Sequence, residues 1–166
     1  MLDQFLIALQ HSQFATWVQE SAYPVVITLH SIGLAILVGL LVVIDVRVLG
    51  FARGLPIHAL RKLMTVVWIG FWTNAVSGVM LFSIDAKKDF YSNLFRLKLS
   101  AIAVGLILGA IINARVLSSP EPYASGNSDT PIQARVLAVA SLVSWASAIV
   151  AGRLLAYFTY GDVGIE

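Results

Sequence analysis

Polar residues in this chain fall in clusters, and the stretches between the clusters are apolar on every helical face. Residues 23–49 open with Pro24, and only Thr28, His30 and Ser31 interrupt the apolar run before Asp45 and Arg47 close it. Three further runs of this kind cover about 63–82, 94–117 and 136–158. Each has the roughly 20 residues that a helix needs to cross a hydrocarbon core about 30 Å thick. The pattern predicts an all-α integral membrane protein, a four-transmembrane-helix bundle forming one membrane domain over residues 1–166. Residues 1–20 read differently. Leu2, Phe5, Leu6, Leu9, Phe14, Trp17 and Val18 recur at helical spacing with Asp3, Gln4, Gln10, Ser12 and Gln13 between them. That spacing predicts an N-terminal amphipathic helix lying at the interface or docked on the bundle. SSPEPYASGNSDTP, residues 118–131, has loop chemistry and is expected to be flexible.

Composition sharpens this picture. Of 166 residues, 58% are hydrophobic and 12% charged, whereas a soluble domain has about 45–50% and about 25%. A water-soluble fold of this size could not bury so much apolar surface. Cysteine is absent, which excludes disulfides, iron–sulfur clusters, thiolate zinc and cysteine nucleophiles. A net charge of +2, dispersed along the chain, gives no footprint for nucleic acid. No phosphate-binding loop, dinucleotide fingerprint or nucleophile–base pair occurs, so an electron-transfer or accessory subunit is expected rather than a catalyst. The partners expected are membrane lipid, a periplasmic or membrane redox protein, or further copies of the chain. No Lys or Arg lies in the termini beyond the span edges, which favours periplasmic termini. Gly105 and Gly109, with Ala140, Ser144, Ala148 and Gly152, supply small residues for close helix packing.

Ionisable groups inside a membrane are costly, so their depth is informative. At 1.5 Å per residue, His30 lies about 10 Å from the start of its span and Arg153 about 8 Å from the end of the last. Lys98 and Ser77 fall at a similar level. One leaflet is thus expected to hold an imidazole, one or two cations and a hydroxyl on four different helices. One haem b would use such a layer, with His30 as iron ligand and Arg153 and Lys98 as propionate partners. Gly33 would leave room for the flat ring, beside Ser77. A second axial ligand would have to be His11, since His58 falls on the opposite side, and a five-coordinate haem needs none. The competing reading has His30 bonded to a Ser or Thr of a neighbouring helix, with the cations snorkelling to the headgroups. Asp45 with Arg47 or Arg115 is expected to form a structural ion pair. The function expected is a small b-type cytochrome or haem-binding membrane redox subunit; the alternatives are a cofactor-free membrane anchor or assembly subunit and a small transporter.

The segments LHSIGLAILVGLLVVIDVRVLG, WIGFWTNAVSGVMLF, YSNLFRLKL and GRLLAYF resemble an uncharacterised family of small bacterial inner-membrane proteins with four predicted helices. That resemblance implies a bundle in the bacterial cytoplasmic membrane and carries no established activity. More distantly, the layout is similar to di-haem cytochrome b561-type and copper-resistance-D-type membrane proteins. Those families pair histidines on facing helices, whereas this sequence has one histidine within a span, which argues against two haems.

Overall fold

The computed structural model describes residues 1–51, 54–118 and 131–161, and these are helical with no strand among them. Four helices are long and apolar enough to cross a membrane. Helix α1 (Leu2–Gln10) stops at His11, and Ser12 Oγ accepts the Ala15 N–H at 3.1 Å to cap α2 (Gln13–Trp17). A π-helical turn, Val18–Ala22, then runs without a break into α3 (Tyr23–Leu49). Pro24 explains the turn: it has no N–H for the Glu20 carbonyl, and the wider turn upstream absorbs the missing bond. Gly50 ends α3 with a φ of 97°, and the N–H groups of Gly50 and Phe51 close back on Arg47 and Val46 at 3.0 and 3.2 Å.

Helix α4 (Ile57–Ile84) begins before the apolar run expected at 63–82, because Arg61 and Lys62 end a hydropathy window without breaking a helix. A short α5 (Ala86–Tyr91) follows where the sequence predicts only a connection. Helix α6 (Asn93–Ile112) continues into a second π-helical turn, Asn113–Leu117, and α7 (Ile132–Gly161) completes the described chain. The connection expected at 118–131 lies outside the described residues apart from its two end positions.

The chain divides into two compact units, one of Met1–Gly39 with Val66–Ser92, the other of Leu40–Thr65 with the residues from Asn93 onward. In the first unit, α1 lies against α5: Leu6 is buried, and Tyr91 Oη donates to Asp3 Oδ1 at 2.6 Å. The α3 and α4 segments of this unit run antiparallel, with His30 beside Ser77 and Gly78, and Leu37 beside Gly70. In the second unit, α6 and α7 are antiparallel partners. Lys98 lies along Gly152, Ser144 reaches the Ala101 carbonyl, and Trp145 covers Gly105.

The packed face of α7 is Ala134, Ala138, Ser141, Trp145, Ala148 and Ala151. It differs from the expected four-residue stripe, of which Ala140 is exposed. The reason is geometric, since each four-residue step turns about 40° past a full helical turn and a straight seam cannot follow it. Outward faces are apolar. Ile69, Trp72, Val76 and Val79 on α4 are 58–68% exposed, while Asn74, Ser77 and Ser83 of the same helix are buried.

Candidate functional site

The polar centre of the first unit is a junction between α3 and α4. His30 is half-buried, and its Nδ1 lies 3.0 Å from the main-chain carbonyl of Asn74 and 3.1 Å from Ser77 Oγ. A carbonyl only accepts, so Nδ1 carries the proton, and in the neutral ring the lone pair sits on Nε2. Ser77 donates its own hydroxyl proton to the Thr73 carbonyl at 2.6 Å, leaving its oxygen to accept from His30. The exchange is reciprocal: Asn74 Nδ2 donates to the main-chain carbonyl of His30 at 2.8 Å. Each side chain therefore binds the main chain of the other helix.

Such bonds require close backbones, and two glycines provide them. A Cβ on Gly33 would lie 2.6 Å from the Asn74 nitrogen and 3.0 Å from the Gly70 carbonyl. A Cβ on Gly70 would lie 2.9 Å from the Leu37 nitrogen. Gly78 gives the imidazole its seat, since a Cβ there would be 3.2 Å from His30 Cε1. The room expected at Gly33 for a flat ring is thus filled by the backbone of α4. A shallow groove of about 330 Å³ runs along the seam, walled by Val26 and Leu29 on one side and Trp72, Val76 and Met80 on the other, with Ser77 at its edge.

The remaining expected site residues are placed as follows. His11 is exposed, and its Nδ1 donates to the Ile7 carbonyl at 2.9 Å, one turn back in α1. Lys98 is half-buried on α6 with its aliphatic arm along Gly152, and Arg153 is the exposed next residue of α7. The structure therefore groups His30 with Ser77 in one unit and Lys98 with Arg153 in the other. Asp45 is 1% exposed. The arginines expected to pair with it are engaged elsewhere: Arg47 Nε donates to the Leu55 carbonyl at 2.8 Å, and Arg115 is exposed beside Ile132 and Gln133. Among the described residues no three His, Asp or Glu side chains come together as a metal cluster.

Sequence reasoning singled out none of Gly70, Asn74 and Gly78. A signal was present, because Gly70, Asn74 and Gly78 recur every four residues along one face of α4. No family model matches the chain, and no curated protein or solved structure matches it.

Proposed function

We propose that this chain is a multi-pass protein of a bacterial inner membrane and a small redox subunit in which His30 Nε2 would ligate the iron of one b-type haem. Support for membrane residence comes from the distribution of polarity on α4, with Ile69, Trp72, Val76 and Val79 outward and Asn74, Ser77 and Ser83 inward, the reverse of a soluble helix. Support for ligation comes from one observation, the donation of Nδ1–H to the Asn74 carbonyl. Metal-binding histidines characteristically give their second N–H to a carbonyl or carboxylate, which fixes the tautomer and raises the basicity of the ligating nitrogen. The donor chemistry of His30 fits a haem, and the glycine cradle expected at Gly33 does not. Bound haem would supply one-electron transfer. The chain's own residues hold the imidazole, through Ser77 and Asn74.

A second reading is favoured by the Gly33–Gly70 crossing. There the reciprocal bonds are a helix clamp, and the protein is a cofactor-free anchor or assembly subunit. Visible absorption of the detergent-purified protein from haem-replete cells, oxidised and then dithionite-reduced, separates the two. The haem reading expects a Soret band that His30→Ala abolishes while the helical circular dichroism persists. A colourless wild-type protein refutes that reading and leaves the clamp.

A further inference from the structure

The second unit buries oxygen atoms that no hydrogen bond among the described residues satisfies. Asp45 is 1% and Ser141 0% exposed, and neither Asp45 Oδ2 nor Ser141 Oγ has a hydrogen-bond partner. The Ser141 hydroxyl lies beside the Asp45 carboxyl. Asn113 Oδ1, at the start of the second π-helical turn, is likewise buried and unpartnered.

The packing register brings these atoms to neighbouring levels. Ala101 meets Ser144 and Gly105 meets Trp145, so Gly109, one turn further along α6, falls level with Ser141 on the antiparallel α7. Leu41 of α3 lies against Gly109, with a side-chain carbon 3.3 Å from where a Cβ would sit. Asp45 is one turn beyond Leu41, and Asn113 is one turn beyond Gly109. Helix α3, helix α7 and the π-helical turn after α6 therefore place a carboxylate, a hydroxyl and a carboxamide oxygen at neighbouring levels of one unit.

That donor set lacks a cation. Arg47 bonds the Leu55 carbonyl and Arg115 is exposed. Burying a carboxylate without a counter-charge is costly, and unpaired acceptors add to the cost. Carboxylate, hydroxyl and amide oxygens without imidazole or thiolate suit a hard ion, and a single carboxylate balances one positive charge. We propose that α3, α6 and α7 hold a small monovalent cation of the sodium class, bound by Asp45 with the oxygens of Ser141 and Asn113. This site is independent of His30 and of haem, and it stands or falls separately from that reading.

The test is thermal unfolding of the full-length purified protein in sodium chloride against N-methyl-D-glucamine chloride at equal ionic strength and pH 8. An ion that binds only the folded state raises the midpoint with the logarithm of its concentration, here by about 3–6 °C per tenfold rise above its dissociation constant. Asp45→Asn is expected to remove the sodium response, and Ser141→Ala and Asn113→Leu to weaken it. If Asp45→Asn does not fold, the Ser141→Ala response decides. Equal wild-type midpoints in both salts overturn the proposal. Equal midpoints combined with a loss of stability as pH rises would assign a bound proton to Asp45 instead, and that outcome also overturns the cation site.

Discussion

Replacing Gly33 by alanine isolates the contact on which the α3–α4 junction depends. The new Cβ would stand 2.6 Å from the Asn74 nitrogen, and ordinary contact begins at 3.4 Å, so the helices must part by 0.8 Å. The obstacle is main chain, which no rotamer change can move aside. Parting stretches the His30 Nδ1–Asn74 carbonyl bond from 3.0 Å and the Asn74 Nδ2–His30 carbonyl bond from 2.8 Å to beyond 3.5 Å, where neither survives. The two bonds contribute about 1 kcal/mol each, and overpacking costs about 2 kcal/mol. Alanine's better helix propensity returns about 1 kcal/mol. The balance is a loss of about 3 kcal/mol, or about 6–12 °C in the unfolding midpoint of a chain this size. Gly39 is the internal control, because a Cβ there meets nothing within 4 Å. Gly39→Ala should gain up to about 1 kcal/mol from propensity alone. The assay is thermal unfolding of both variants in detergent, with the imidazole ¹⁵N shifts of His30 read in parallel. If Gly33→Ala melts with Gly39→Ala and keeps the Nδ1–H signal, the close crossing does not exist.

Two smaller perturbations probe the rest of the fold. Ser144→Ala removes the buried 2.8 Å bond to the Ala101 carbonyl and should cost about 1 kcal/mol, measured by denaturant or thermal unfolding. Tyr91→Phe deletes the exposed bond to Asp3 and should change global stability by less than about 1 kcal/mol. Its effect belongs in faster amide exchange confined to α1, and slow exchange there would show that apolar contact through Leu6 alone holds the segment.

Periodicity and length made the four long helices legible, and the junctions between them much less so. Apolar runs mark where side chains dislike water, and helices continue past them: α4 starts at Ile57 and α7 at Ile132, ahead of the runs expected from about 63 and 136. The break at His11 and Ser12 was written in a capping residue, yet the apolar spacing of residues 1–20 concealed it. At the candidate site, depth arithmetic put His30 and Ser77 at one level, and the structure brings them to 3.1 Å. Gly33 shows why the rest stayed hidden. A glycine announces that something approaches closely, and only the partner's position says whether it is a cofactor or another backbone. Asp45 posed the same difficulty in charge terms, since its nearest arginine in sequence turns to a loop carbonyl instead.

The reciprocal bonding of His30 and Asn74 has a consequence for genetics. The acceptor of each side chain is a main-chain carbonyl, and no substitution at the facing position removes a carbonyl. Asn74→Ala would delete one bond of the pair and leave the imidazole's acceptor in place. Information about this contact is stored in the spacing between two helices rather than in the identity of facing residues. Screens for loss of the His30 contact should therefore return changes at glycines, and second-site suppressors should be substitutions that let the helices slide or tilt rather than new hydrogen-bond partners.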